Sequence, residues 1–427
     1  MRRVVIAGVS TRAAAESAAR AGFDATAIDA FADLDQHPSV QSRSIPRPFT
    51  ARAAARAARS IDCDAVAYLS NFENHPDDVR TLAAGRELWG NPPAVIRRVR
   101  DPMCLARALR DRGIAGPGVR LPPARVALRR ASPTAVAEAM AVRRSFMRRR
   151  KQPEGGRPDT TGDARNPDTT DHRDWLVKPL ASGGGHAVRR WNRGTPVPRD
   201  CYLQELIAGT PGSVVFVAAA RRAVPLGVSH QLIGDRAFGA TGYQYCGNIL
   251  ASAGDDDALV DAACTLARAV SEEFGLVGVN GIDFVARDAH PYAVEVNPRW
   301  TASMELVERV YGLSVFASHA AACADGTLPD FEVVQARRGA RAAGKAVVFA
   351  REDVTIGDTS GWIGDATVRD VPHPGERIRA GRPVCTVFAA GDDRASCYVA
   401  LIRRADRVYA ELAGWKSGGD GSIEGTT

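Results

Sequence analysis

The sequence predicts an α/β protein: a parallel α/β domain first, mixed α+β lobes in the middle, and a small β-rich module near the C-terminus. Three patterns carry that expectation. Segments of strand and helix character alternate through residues 1–90, which argues for a parallel sheet with helices on its faces. Apolar strands, Gly-rich turns and one long helical stretch fill 174–324. Residues 345–412 then switch to short strands broken by many Gly and Pro turns.

Residues 4–7 read as an apolar strand, 10–21 as an Ala-rich amphipathic helix ended by Gly22, and 25–28 as a second strand ending at Asp29. A helix over 51–60 leads to a strand over 65–69. Gly8 stands alone after the first strand, so no G-x-G-x-x-G dinucleotide fingerprint is present. Residues 101–113 (DPMCLARALRDRG) carry helical amphipathicity and stop at Gly113. Arg143, Arg144, Arg148, Arg149, Arg150 and Lys151 then crowd together, followed by a stretch in which PDTT occurs twice, at 158 and 167. With no hydrophobic period across 152–173, that stretch reads as an exposed, disordered insert. Its basic edge suits RNA or a phosphorylated substrate, and a merely solvated loop explains it as well.

Further strands are expected at 175–180, 202–207 and 214–220, a helix at 259–274, and a hairpin of 281–286 and 292–296. Helices at 304–311 and 315–324 come next, then strands at 345–350, 384–389 and 397–401. The tail from 414 (GWKSGGDGSIEGTT) reads as disordered. The domain boundaries that follow are 1–100 for the N-terminal α/β domain, 101–205 and 206–335 for two lobes, 340–413 for the β-rich module and 414–427 for the tail.

A chain of 427 residues with 45% apolar and 25% charged side chains has material for a large core. Dominant disorder and a disulfide-stapled miniprotein are excluded. No run approaches the roughly eighteen apolar residues of a membrane span, and the run at 4–9 is too short for a secretion-signal core. A cytoplasmic protein is the expectation. The eight cysteines contain no C-x-x-C pair, so zinc-type spacing is absent and reduced thiols are expected. The net charge of +7 invites nucleic acid, but the 56 basic residues include four lysines, Lys151, Lys178, Lys345 and Lys416, leaving 52 arginines (56 − 4). That ratio looks like a GC-rich coding bias rather than the footprint of a nucleic-acid partner. A lysine retained inside a strand is therefore informative.

Three segments carry chemistry. DWLVKPLASGGGHAVRRW (174–191) sets Lys178 in an apolar strand just before Ser182, Gly183, Gly184, Gly185 and His186. A lysine ammonium beside glycines with free backbone N–H groups is the chemistry of a polyphosphate cradle, although a Gly-rich hairpin with a snorkelling lysine also fits. It is not a Walker A loop, since no G-K-[ST] follows. YLQELIAGTPGS (202–213) puts Gln204 and Glu205 at a strand end, able to read an adenine edge or simply to face solvent. GVNGIDFVARDAHPYAVEVNPRW (278–300) is the sharpest. Asp283 lies on one arm of the hairpin, and Glu295 and Asn297, two apart, share a face of the other. Two carboxylates and an amide are hard oxygen donors suited to Mg²⁺ that also takes substrate phosphates. Arg299 continues the alternation, set to grip a phosphate oxygen. The competing explanation is a structural ion pair between these acids and Arg299.

In this order the segments resemble the ATP-grasp superfamily of carboxylate–amine (or thiol) ligases: a Lys-bearing strand with a glycine loop, a Q-E-L-I-A-G hinge, then D-F and E-V-N-P-R. The motifs cover about 174–305, and the likeness extends to roughly 1–330 with the α/β region included. The run E-V-N-P-R-W-T-A-S-M-E-L looks most like a branch of predicted ATP-dependent carboligases, whose neighbours in type include tyramine–glutamate ligase of cofactor biosynthesis. The resemblance implies ATP-grasp α+β domains with the nucleotide between two lobes. It implies ATP as cofactor with Mg²⁺, or Mn²⁺ in its place, held by Asp283, Glu295 and Asn297. Lys178 would hold the α/β-phosphates and residues 182–186 would form the lid. Gln204, Glu205 and the backbone around Leu206 would hold adenine, and Arg299 would act with Lys178 on the transferring phosphate. Two positions depart from the family pattern. Ser213 stands where a ribose-gripping carboxylate is common, and Arg100, Asp101, Pro102 and Arg107 occupy the helix where many members carry a phosphate-binding lysine.

The implied reaction joins a small-molecule carboxylate, an amino acid such as glutamate in the narrower form, to an amine through an acyl phosphate. No membrane and no nucleic acid are involved, and homo-oligomerisation is left open. Two alternatives stand beside it: a carboxylase using bicarbonate, and an inactive nucleotide- or RNA-binding relative using the arginine run at 143–151. On the substrate side, His230, Gln231, Tyr243, Tyr245 and Asn248 can line a polar pocket or serve the fold. Glu73 and Asn74 stand where an open α/β sheet places ligands, and can bind an amine or cap the helix starting near Pro76. Thr301 and Ser303 are placed to orient an acceptor.

Overall fold

A computed structural model describes residues 1–122, 172–250, 253–254 and 256–418. The chain divides into two compact units, one of Met1–Pro117, Ala181–Ala187 and Ile207–Thr427, the other of Gly118–Leu180 and Val188–Leu206. The arginine run at 143–151 and the expected insert up to 171 lie outside the described residues.

The larger unit opens with the expected parallel sheet. β1 (Arg3–Ala7), β2 (Asp24–Asp29), β3 (Gln41–Ser44), β4 (Ala65–Tyr68) and β5 (Glu87–Trp89) lie in the order β3-β2-β1-β4-β5, and all four pairings are parallel. The strand order reverses between β1 and β4, the place where open α/β sheets bind ligands. α1 (Arg12–Arg20) and α2 (Ala51–Ala58) cover the sheet with small side chains. Ala14, Ala15 and Ala18 on α1, and Ala51, Ala54, Ala55 and Ala58 on α2, are buried at helical spacing. Thr50 caps α2, its hydroxyl accepting the Ala53 N–H at 3.1 Å. α3 (Pro76–Leu82), α4 (Pro93–Val99) and α5 (Pro102–Asp111) follow. Asp101 caps α5 by accepting the N–H groups of Met103 and Cys104 at 2.9 and 3.2 Å. β3 has no hydrophobic signature: its QSRS residues are all exposed.

The smaller unit is a four-stranded antiparallel sheet of β6 (Val119–Arg120), β7 (Trp175–Pro179), β8 (Arg189–Arg190) and β9 (Cys201–Glu205), ordered β6-β9-β7-β8. Trp175, Val177, Cys201 and Leu203 form its core. The Arg120 and Arg173 guanidinium groups lie 4.5 and 4.9 Å from the Trp175 ring.

Back in the larger unit, β10 (Thr210–Ala219), β11 (Arg222–Ile233), β12 (Tyr245–Leu250), β13 (Gly278–Arg287), β14 (His290–Asn297) and β15 (Ala342–Phe349) enter an eight-stranded sheet. β16 (Val354–Thr355) and β18 (Arg377–Ile378) pair separately, whereas β17 (Val368–Arg369) and β19 (Pro383–Gly391) complete the order β14-β13-β10-β11-β12-β15-β19-β17. Since β15 pairs with β12, the C-terminal strands extend this sheet. The helix Asp257–Phe274 packs on it and ends at Gly275, in the left-handed conformation at φ 65°.

One expected strand is corrected. Residues 397–401 belong to a long helix, Arg394–Gly418. Cys397, Leu401, Ala405, Val408 and Leu412 are its buried stripe, a spacing of three and four that only a helix puts on one face. The helix also runs past 414, where disorder was expected to begin. Trp415 packs on Trp362 at 5.4 Å between ring centroids, which gives that last turn a reason to be ordered.

Candidate active site

The β13–β14 hairpin forms in the expected register, with Asp283 directly opposite Glu295 and Gly281 opposite Asn297. Asp283 accepts two amide N–H bonds at 2.8 Å, from Gln231 of β11 and from Asn297. Burial first, and then the facing Glu295 carboxylate, push Asp283 up to about 6, against the pull of Asn297, Arg299 and Gln231. Among the described residues no three His, Cys, Asp or Glu side chains gather into a metal cage. Two carboxylates and an amide oxygen do fit a hard cation that takes phosphate or water oxygens for its remaining positions. A cation between Asp283 and Glu295 would also relieve the repulsion that raises Asp283.

Arg299 follows on the same strand extension, but the acid nearest it is neither member of that pair. Its Nη2 lies 2.7 Å from Glu73 Oε1 and 3.2 Å from Asn297 Oδ1, and its Nη1 donates to the Trp300 carbonyl at 2.9 Å. Glu73 sits in a single 3₁₀ turn, Phe72–Asn74, just after β4, and is 2% exposed. Tyr68, at the end of β4, donates to the carbonyls of Asn91 and Pro298 at 3.0 Å. Burial pushes its phenol well above the usual range, and the Glu73 charge adds to that. The sequence points to Glu73 as an amine site or helix cap, and no spacing signal joins it to Arg299.

Arg100, singled out as a departure from the family pattern, proves central. It forms an ion pair with Glu295 and donates to the Val296 carbonyl at 3.2 Å. Its Nη2 reaches Asn74 Oδ1 at 3.0 Å and the Ser182 carbonyl at 3.2 Å. A guanidinium can serve several acceptors at once, as an ammonium on a flexible stem cannot. No spacing signal joins positions 100 and 295, so nothing in the sequence could have found this pair.

The glycine loop is seated rather than loose. Asn74 and Arg100 both donate to Ser182 O, and the Tyr245 N–H donates to Gly184 O at 3.1 Å. Gly184 and Gly185 hold φ of 63° and 77°, which favours glycine. A Cβ on Gly185 would come within 1.8 Å of the Tyr243 carbonyl oxygen, whereas a Cβ on Gly183 would meet nothing within 4 Å. His186 closes the turn, its N–H donating to Gly183 O at 3.3 Å.

Ser213 is 4% exposed and hydrogen-bonds Ser229 at 3.1 Å. Asn248 donates to Ser229 at 2.8 Å and is joined by the Tyr245 hydroxyl. Asp283, Ser213 and Ser229 are cross-strand partners on β13, β10 and β11, so these polar groups share one face of the sheet. His230, next in sequence to Gln231 and so on the other face, pairs with Asp256 at 2.7 Å and meets Arg394. It leaves the pocket grouping proposed from sequence. Thr301 and Ser303 bond to one another at 3.1 Å, and Tyr243 meets Gly185 through its carbonyl.

In the smaller unit, Lys178 is 9% exposed and donates to Gln204 Oε1 at 3.0 Å, its Nζ 6.0 Å from the Tyr202 ring centroid. Gln204 satisfies one of the three donors of the ammonium and brings no opposing charge. Glu205 accepts from the Gly118 N–H at 2.9 Å and approaches Arg173 at 3.6 Å. The Leu206 N–H donates to Asp174 O at 2.8 Å.

Residues 151–303 match the ATP-grasp domain family. Three solved structures resemble the chain across nearly all of its length. An ADP complex of N5-carboxyaminoimidazole ribonucleotide synthetase is 15% identical with a TM-score of 0.61, covering 96% of this chain and 98% of that one. An L-amino acid ligase from Bacillus licheniformis is 14% identical at 0.61, covering 95% and 97%. The biotin carboxylase domain of a Hydrogenobacter thermophilus 2-oxoglutarate carboxylase, in complex with MgADP, ADP and bicarbonate, is 14% identical at 0.63, covering 92% and 86%. An uncharacterized protein of Methanocaldococcus jannaschii is 28% identical over 120 residues, which is 28% of this chain and 28% of its own length. Residues 151–303 thus match the ATP-grasp domain, and the chain as a whole shares the fold of these solved structures. Among the described residues no helix is long and apolar enough to cross a membrane.

Proposed function

We propose that the protein joins a small-molecule carboxylate, an amino acid such as glutamate in the narrower form, to an amine at the expense of ATP. The observation that carries this reading is the Asp283–Glu295 pair in register across the hairpin, with Asn297 on the same face and Arg299 next along. Asp283, Glu295 and Asn297 are assigned to Mg²⁺, or Mn²⁺ in its place. The cation would neutralise charge on the phosphates. In the smaller unit, Lys178 is assigned to the phosphates, and Gln204, Glu205 and Leu206 to the base. In the larger unit, Ser182, Gly183, Gly184, Gly185 and His186 cover phosphate oxygens, and Ser213 lies at the sugar.

No protein nucleophile is needed. The substrate carboxylate attacks the γ-phosphoryl group, giving an acyl phosphate and ADP. The amine then attacks the acyl carbon, the carbon–oxygen bond to phosphate breaks, and phosphate leaves with the amide formed. Arg299 stabilises charge on the transferring group, and catalysis is positioning plus electrostatics. The seated glycine loop limits water, which would otherwise hydrolyse the acyl phosphate.

A carboxylase using bicarbonate is the second reading, favoured by the fold shared with a bicarbonate-bound carboxylase domain. A trapping experiment separates the two. With ATP, Mg²⁺ and a panel of amino acids, hydroxylamine should convert the acyl phosphate to a hydroxamate. Hydroxamate formed with one acid and no bicarbonate supports the ligase. ADP release that needs bicarbonate, with no hydroxamate from any acid, would establish the carboxylase instead.

A further inference from the structure

Glu295, one of the two acids assigned to the cation, is already engaged by a side chain from another element. Arg100, between α4 and α5, forms an ion pair with Glu295 Oε1 and donates from the same nitrogen to the Val296 carbonyl at 3.2 Å. Its other terminal nitrogen donates to Asn74 Oδ1 at 3.0 Å and to the Ser182 carbonyl at 3.2 Å. Asn74 closes a triangle by donating to the same Ser182 carbonyl at 3.4 Å. One guanidinium thus ties a hairpin acid to the start of the glycine loop. The Glu295 side chain is 27% exposed against 12% for Arg100, so solvent reaches the acid while these acceptors hold the arginine. Charge decides what the arrangement does. A guanidinium on a carboxylate uses lone pairs that a hard cation would take, and sets a positive charge where that cation must come. Arg100 and a divalent cation therefore compete for Glu295. Arginine does not deprotonate in proteins, so the competition is relieved when its N–H groups are given another anionic acceptor. The proposed function places phosphate oxygens at residues 182–186, where Arg100 already reaches.

We propose that Arg100 is an internal counter-ion for Glu295, which excludes a divalent cation from the nucleotide-free site and yields the acid when nucleotide phosphate at the glycine loop takes over its guanidinium. The proposal rests on the assignment of Glu295 to the cation and adds an order to it: nucleotide, or its metal complex, ahead of free metal. Arg100 is a positioning residue here, acting through Glu295 and Ser182. The two roles open to it differ in sign. Removing an arginine that merely supports the site weakens cation binding, whereas removing a counter-ion strengthens it. By linkage, ADP and the cation also favour one another more strongly while Arg100 is present.

The probe is Mn²⁺, its binding to the full chain without nucleotide read by loss of the free-ion electron paramagnetic resonance signal. Arg100→Gln should bind Mn²⁺ about tenfold more tightly than the unaltered chain, and Arg100→Lys, which keeps a positive charge, within about threefold of it. Adding Glu295→Gln to Arg100→Gln should abolish the gain. In a second reading, the ratio of the ADP Kd without and with Mn²⁺ should be about fivefold larger for the unaltered chain than for Arg100→Gln, chelation of Mn²⁺ by free ADP being common to both. Mn²⁺ binding no tighter in Arg100→Gln, Arg100→Lys as tight as Arg100→Gln, or equal ratios would each overturn the counter-ion. The assignment of Glu295 to the cation is read separately, by whether Glu295→Gln loses the rise in Tm that MnADP gives over ADP. That loss, with Mn²⁺ affinity unchanged in Arg100→Gln, would leave the metal assignment standing and remove the role of Arg100. A gain of affinity in Arg100→Gln that survives Glu295→Gln would remove both.

Discussion

Asn297 donates its side-chain amide to Asp283 at 2.8 Å across the β13–β14 hairpin, and this contact fixes one acid of the facing Asp283–Glu295 pair. Two carboxylates are held opposite one another, one of them raised to about 6, and the proposed function assigns them to a cation. Proton and cation compete there. At pH 7.5 Asp283 is ionised, the form a cation needs on the proposed reading, and below pH 6 it is increasingly protonated. The increase in Tm produced by MgADP over ADP alone should therefore be large at pH 7.5 and shrink severalfold at pH 5. Equal shifts at both pH values would remove Asp283 from the metal site.

Lys345 and Glu305 make a second prediction, about the fold rather than the chemistry. Lys345 is 4% exposed and lies 2.6 Å from Glu305, which Arg12 reaches at 2.7 Å. Burial alone would raise the Glu305 pKa, but Arg12, Lys345 and Arg309 outweigh it and hold the carboxyl far below the usual carboxylate range. A depressed carboxyl pKa contributes stability that is fully present above the group's ordinary value of 4.5 and is lost as pH falls below that value and through the much lower folded one. Removing one member of a buried ion pair costs about 3 kcal/mol or more. Lys345→Met should lower the unfolding free energy in urea by about that amount at pH 7, with a smaller loss at pH 4. A change below about 0.5 kcal/mol at pH 7 would show that the pair contributes little.

The glycine loop separates two substitutions that look alike in sequence. Gly183→Ala meets open space, while Gly185→Ala forces a Cβ onto the Tyr243 carbonyl at a positive φ. If the seated loop covers the phosphates, Gly185→Ala should raise the KM for ATP at least tenfold, and Gly183→Ala should change it less than threefold. Comparable effects of the two would mean that seating on Tyr243 does not matter for the nucleotide.

Much of this architecture is legible in the sequence because its signals are local. The hairpin follows from a period of two in GVNGIDFVA and YAVEVN, and that parity alone puts Glu295 and Asn297 on one face. The helices α2 and α5 follow from helical periodicity of their apolar residues and from the capping residues Thr50 and Asp101 ahead of them. A lysine retained within a strand also proved informative: among the described residues, Lys178 and Lys345 fall inside strands, and both are buried and bonded. What could not be read is non-local or ambiguous. The Arg100–Glu295 and Glu73–Arg299 pairs join distant positions through the fold, with no spacing to reveal them. The strand expected at 397–401 failed because CYVAL is a short apolar run, and a run of five fits either period. Its helical stripe emerges only when Ala405, Val408 and Leu412 are counted with it. β3 was invisible since an exposed polar edge strand has no hydrophobic pattern at all.

The central claim, that this chain is a carboxylate–amine ligase, is tested most directly by Mg²⁺-dependent ADP release screened over amino acids paired with amines. The account predicts release that needs one acid and one amine together, reduced at least a hundredfold in Lys178→Ala and in Glu295→Ala, each confirmed as folded. ADP release indifferent to both variants, or ATP binding without release for any pair, would contradict it.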